Sequence, residues 1–170
     1  ALRTAPGDEG LLTLLAMAEH AAGNHAAAAD AFRTLAEERP TTPEYWSNLG
    51  YMLRLSGAFE DAEAAFQRAL SLAPMSHDAL VNYGLLLLDM GRFGAARHRF
   101  LDAVEANPAS AAARIYASTT CFECGDAIRA AALIPSSESW AALDPDLRRE
   151  LAVALAHVGR ADEARRLLDA

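Results

Sequence analysis

The chain has 170 residues, 52% of them hydrophobic and 22% charged, a balance that builds a folded core and excludes a disordered chain. Its 15 basic residues, all arginine, face 23 acidic ones, so the formal net charge of −8 repels polyphosphate and excludes nucleic acid as an expected partner. Two cysteines are too few for a disulfide framework, and no apolar run approaches the roughly 20 residues that a membrane-spanning helix needs.

The N-terminal stretch ALRTAPGDEG has no secretory apolar core, which points to the cytoplasm. From Glu9 onward the chain repeats. Frames starting at Glu9, Pro43, His77, Ala111 and Pro145 bring five copies of a 34-residue unit into phase without an insertion or deletion. The copies cover 9–42, 43–76, 77–110, 111–144 and 145–170, arranged as one domain. In each copy the pattern predicts a first helix over positions 1 to 14 and a second over about 17 to 30.

Position 15 is Gly23, Gly57, Gly91, Gly125 and Gly159, the residue that ends a helix in the left-handed conformation at little steric cost. Asp8, Thr42, Ser76, Ser110 and Asp144 precede the frames as N-caps, each contributing about 1 kcal/mol to its helix. Small residues at position 8 (Ala16, Gly50, Gly84, Ser118, Ala152) and at position 20 (Ala28, Ala62, Ala96, Ala130, Ala164) let paired helices approach closely. Position 24 (Phe32, Phe66, Phe100, Ile134, Leu168) is expected to fill the shared core, and Pro40, Pro74 and Pro108 stop the second helix.

Glu19 and His25 replace apolar residues in the first copy, which suggests an end unit with one wet face. The fourth copy departs further: Arg114 and Ala117 replace bulky residues, and Pro135 falls inside the expected second helix. A proline there costs about 3 kcal/mol in a continuous helix. The helix from about Asp126 is therefore expected to stop near Leu133, with 136–143 forming a separate turn or short helix. One reading is a decayed repeat that still stacks; another is that the break opens a local groove beside Trp140 or changes the superhelix pitch there. The last copy stops inside its second helix, so a further helix, domain or partner chain is expected to cover Leu167 and Leu168.

Chemistry-bearing motifs are few. Cys121 and Cys124 form a CxxC at the C-terminal end of a predicted helix, where the dipole opposes a thiolate, so Cys121 reads as a small core residue and Cys124 as its neutral neighbour. The histidines His20, His25, His77, His98 and His157 take different repeat positions with no metal-ligand spacing between them. Glu60-Asp61 and Asp162-Glu163 open second helices and complement the dipole. No catalytic constellation, metal site or cofactor is expected, and the chain reads as a non-enzyme.

The stretch Pro43 to Pro74 carries Trp46, Leu49-Gly50, Leu53, Gly57, Phe59, Ala62, Phe66, Ala69 and Pro74, the spacing of a two-helix repeat with a period of about 34 residues. On these residues the chain resembles the tetratricopeptide repeat (TPR) family. The resemblance implies an all-α, right-handed α-solenoid of five helix-turn-helix hairpins, the fourth degenerate and the fifth truncated. It also implies that first helices line a concave groove. Carried onto the two best-matching copies, the family's ligand positions fall on Glu44, Ser47, Asn48, Tyr51, Arg54 and Leu55, and on Asp78, Val81, Asn82, Leu85, Leu88 and Asp89. Tyr116, together with Met17, Ile115 and Phe122, is implied on the same face.

The paired Asn48 and Asn82 are similar to the asparagine ladder of O-linked GlcNAc transferases, and the overall flavour is that of bacterial TPR proteins. The cations of the chaperone-type carboxylate clamp are missing. The expected function is a protein–protein interaction scaffold that binds a peptide or partner helix in the groove. A second reading has the same residues merely packing on one another. Two alternatives belong to other classes: the substrate-recognition arm of a larger glycosyltransferase or sulfotransferase, and self-association through the end repeats.

Overall fold

A computed structural model describes residues 9–169. The α-helices are α1 (Glu9–Ala21), α2 (His25–Glu38), α3 (Pro43–Leu55), α4 (Phe59–Leu72), α5 (His77–Asp89), α6 (Phe93–Ala106), α7 (Ala111–Glu123), α8 (Ala127–Leu133), α9 (Pro145–His157) and α10 (Ala161–Leu168). A 3-10 helix spans Ser137–Ala142, and no strand occurs among the described residues. The fold is all-α and of the hairpin-solenoid class. Each odd-numbered helix has 13 residues, and α2, α4 and α6 have 14 each, so the 34-residue period is carried by the structure as by the sequence.

Glycine sets the turn inside every hairpin. Gly23, Gly57, Gly91, Gly125 and Gly159 have φ of 80°, 83°, 70°, 83° and 82°. The next residue's N–H then reaches back five residues, as in Asn24 to Glu19 O at 2.8 Å and Arg92 to Leu87 O at 2.7 Å, closing carbonyls that the helix end leaves open. A Cβ at any of these five glycines would meet nothing within 4 Å, so backbone conformation rather than space requires them. Gly50 is different: a Cβ there would lie 3.0 Å from the Phe66 ring, and this close approach seats α3 on α4.

The chain divides into two compact units, 1–86 and 87–170. In the first, Phe32, Leu35, Leu49, Met52, Leu53 and Phe66 are buried around the fully enclosed Ala16, Ala28 and Ala62. Tyr83 completes this core, its ring stacked on Phe66 at 5.9 Å and its hydroxyl donating to Glu63 at 2.7 Å. Pro40 O accepts from Trp46 Nε1 at 3.1 Å and from Arg68 at 3.3 Å, tying the first hairpin to the second. In the second unit, Ile115, Ile134, Leu143, Leu151, Leu155 and Leu167 form the core, with Trp140 packed against it.

Several sequence expectations need correction. Thr42 makes no side-chain cap hydrogen bond, although its backbone is extended; Ser110 and Asp144 do cap, Asp144 accepting from Asp146 N at 3.0 Å and Leu147 N at 2.9 Å. Asp8 lies outside the described residues. On α1, Leu11, Leu14, Leu15 and Met17 are all exposed, so the solvent-facing side of this end helix carries apolar side chains. Leu168 is 57% exposed, because the helix that buries position 24 in the other copies has no counterpart among the described residues.

The break at Pro135 falls as expected, with α8 ending at Leu133 and a separate 3-10 helix over Ser137–Ala142. Arg114 and Ser118 are adapted to it. Arg114 donates from Nε to Leu133 O at 3.0 Å and from Nη2 to Ile134 O at 3.1 Å, while buried Ser118 donates to Ala130 O at 2.8 Å. Side chains thus satisfy carbonyls left open where α8 stops.

Candidate functional site

Helix α3 buries Leu49, Gly50, Met52 and Leu53 and leaves Glu44, Ser47, Asn48, Tyr51 and Arg54 partly or fully exposed. The exposed set follows a three- and four-residue spacing, which places it along one face of the helix. Helix α5 repeats the arrangement one period later. Ala79, Leu80, Tyr83, Leu86 and Leu87 are buried, while Asp78, Val81, Asn82, Leu85 and Asp89 keep partial or full exposure. Asn48 and Asn82 therefore occupy equivalent places on outward faces, and no hydrogen bond engages either amide among the described residues.

Aromatic contacts organise the turn end of the α3 face. Tyr51 meets His20 of α1 edge-on with ring centroids 5.7 Å apart, and the Arg54 guanidinium lies 5.9 Å from the Tyr51 centroid. His20 and His25 face each other across the hairpin turn, Nδ1 to Nδ1 at 3.3 Å. This pairing, five residues apart, is invisible to a search for helical ligand spacing because the turn at Gly23 folds it together. At the other end of the unit, Tyr45 donates to Glu9, which also pairs with Arg39 at 2.6 Å. The bond to Glu9 raises the Tyr45 phenol above the ordinary tyrosine value. Nothing in the repeat pattern marks Tyr45, since only the packing of the second hairpin on the first brings it to Glu9.

The remaining expected residues lie in the second unit. Tyr116 is half-buried and stacks on Phe100 at 5.2 Å, so one face of its ring serves packing. Ile115 is fully buried in the core and is not on a ligand face; its place in the fourth copy is taken inward by packing on α9. Phe122 stacks on His157 at 4.3 Å. Cys121 is buried and Cys124 exposed, both as free thiols, and burial pushes the Cys121 thiol up, away from nucleophilic character. Among the described residues no group of three His, Cys, Asp or Glu is placed to hold a metal ion, and no helix is long and apolar enough to cross a membrane.

Sequence profiles of the tetratricopeptide repeat match residues 13–80, 53–118 and 145–170. The stretch between the last two contains the break at Pro135. No protein with a curated description matches the chain. Among solved structures, PilF of Pseudomonas aeruginosa superposes with a TM-score of 0.75 at 18% identity, covering 94% of this chain and 74% of its own. MamA from Desulfovibrio magneticus RS-1 gives 0.69 at 20% identity, over 97% and 94% of the two chains. The Sgt2 TPR domain from Aspergillus fumigatus gives 0.65 at 26% identity, over 78% and 89%.

Proposed function

The chain belongs to the tetratricopeptide repeat family and is a protein-interaction scaffold in general terms, and we propose that it holds a peptide or partner helix against the outward faces of α3 and α5. The observation that carries this reading is the pair Asn48 and Asn82, one period apart on those faces and free of internal hydrogen bonds among the described residues. An amide side chain donates and accepts at once, so two of them in series can hold an extended backbone in register. Tyr51, Val81 and Leu85 supply apolar area beside them, and Ser47 a small polar contact. Glu44 and Asp78 would meet basic groups of the bound segment, while Arg54, set against Tyr51, would meet an acidic one.

Affinity capture from the source lysate, with the intact chain and an Asn48→Ala/Asn82→Ala variant side by side, tests the proposal. Both substitutions lie on exposed or half-exposed positions, so helix content should stay unchanged while the captured partner is lost or weakened by about tenfold or more. Equal capture by both proteins would remove the α3–α5 face as the binding site.

A further inference from the structure

The break that ends α8 leaves a cleft of about 590 Å³ in the second unit, between the 3-10 helix, α9 and α10. Trp140, Ala141 and Leu167 give it an apolar floor, and Arg148, Glu163 and Arg166 line it with charge. The Trp140 indole is fixed in place: Nε1 donates to Pro135 O at 3.1 Å, and the Arg160 guanidinium lies 5.7 Å from the ring centroid. Arg160 is in turn held by Glu163 through two hydrogen bonds of 2.7 Å each. That fork pairs the one carboxylate lining the cleft with a cation of its own.

Arg148 and Arg166 are the remaining charges on the cleft wall. Arg148 donates from Nη2 to Leu143 O at 3.3 Å, and its buried Nε has no hydrogen-bond partner. Arg166 donates from Nε to the backbone of Asp162 at 3.3 Å. Both guanidiniums therefore retain donors directed at no acceptor among the described residues. Two cations beside an aromatic and aliphatic floor match an anion joined to an apolar group. A dense polyanion fits less well, because the Glu163 carboxylate shares the wall and the chain as a whole carries a charge of −8.

We propose that this cleft is a second binding site, for an acidic peptide segment that lays an apolar side chain on Trp140 and Leu167 and a carboxylate on Arg148 and Arg166. The site lies in the second unit, whereas Asn48 and Asn82 lie in the first, and it does not depend on them. The interrupted fourth copy then has a role of its own, since an uninterrupted second helix would run on past Leu133, where the separate 3-10 helix now brings Ser137, Trp140 and Ala141 to the cleft wall.

Fluorescence anisotropy tests it with a panel of fluorescein-labelled, end-capped octapeptides of the form SDELXDES, where X is Phe, Leu, Ile or Met, and with the amide counterparts SNQLXNQS. The expected result is saturable binding of acidic peptides that weakens with added salt, and weaker or absent binding of the amide series. Arg166→Glu should weaken binding by about tenfold or more. Arg165→Glu makes the same charge change one residue away, off the cleft wall, and should leave affinity within about twofold. Asn48→Ala/Asn82→Ala should have no effect, which separates this site from the first. Absence of saturable binding across the acidic panel, equal binding of the amide peptides, or equal losses in Arg165→Glu and Arg166→Glu would overturn the proposal.

Discussion

Arg114 donates its Nε–H to the carbonyl oxygen of Leu133 at 3.0 Å, so the first helix of the fourth hairpin closes the end of the second. Its Nη2 reaches Ile134 O at 3.1 Å in the same fork. By the repeat pattern alone Arg114 is a poor residue for its position. In the folded hairpin it is what makes the proline break tolerable, because it meets carbonyls that an uninterrupted helix would have met with its own N–H groups.

Arg114→Ala should therefore destabilise the second unit by about 1–3 kcal/mol, the cost of leaving half-buried acceptors without donors. Arg114→Lys should recover only part of the loss, since an ammonium cannot reproduce the fork. Urea unfolding of the three proteins measures this. A loss in Arg114→Ala below about 0.5 kcal/mol would mean that water satisfies these carbonyls as well as the side chain does.

Two glycines of the second copy should respond to alanine for different reasons. Gly57→Ala is opposed by a backbone φ of 83° and should cost about 1–2 kcal/mol whatever surrounds it. Gly50→Ala is opposed by the Phe66 ring, 3.0 Å from the added Cβ, so Phe66→Leu in the same chain should relieve part of its cost. The double-mutant cycle should show coupling for Gly50 with Phe66 and none for Gly57 with Phe66.

Two pH dependences follow from opposite signs. The Tyr45 phenol, raised by donating to Glu9, favours its neutral form in the folded chain. Its contribution is complete below the ordinary tyrosine value of about 10 and is lost as pH rises through the higher folded value. Near-ultraviolet titration of the intact chain against Tyr45→Phe should show the missing phenol ionising above that ordinary value, and Glu9→Gln should bring it down.

The Glu163 carboxyl is held below the usual carboxylate range by its hydrogen bonds from Arg160. Its contribution is present above the ordinary value of about 4.3 and is lost as pH falls through the depressed folded value. Glu163→Gln should thus be less stable than the intact chain at neutral pH, by a small amount for so exposed a pair, and the difference should vanish in acid. Thermal unfolding across that range checks the sign.

Most helix boundaries are legible in the sequence because they rest on local chemistry. A glycine at position 15 can take a positive φ that other residues resist, and the reading holds at all five copies. The break at Pro135 is legible for the same reason, being a matter of one missing N–H and one steric clash. Contacts between helices are less so. Tyr45 with Glu9, His20 with His25 and Arg114 with Leu133 all depend on turns that bring distant or out-of-phase residues together. Its repeat position puts Ile115 on the ligand face, but in the fourth copy the residue is fully buried in the core it shares with α9. Periodic spacing also tells which residues of α3 and α5 stay exposed; what such a face holds is a matter of chemistry that spacing does not encode.

Site-specific photo-crosslinking asks most directly whether those faces bind a partner. A benzophenone amino acid is placed in turn at Tyr51 and Val81 on the outward faces, and at Ala64 and Arg68 on the exposed side of α4, and each protein is irradiated in source lysate. Adducts to the same partner from 51 and 81, with none from 64 or 68, are the predicted result. Adducts from 64 or 68 alone would place the partner on the opposite helices and contradict the assignment of the groove.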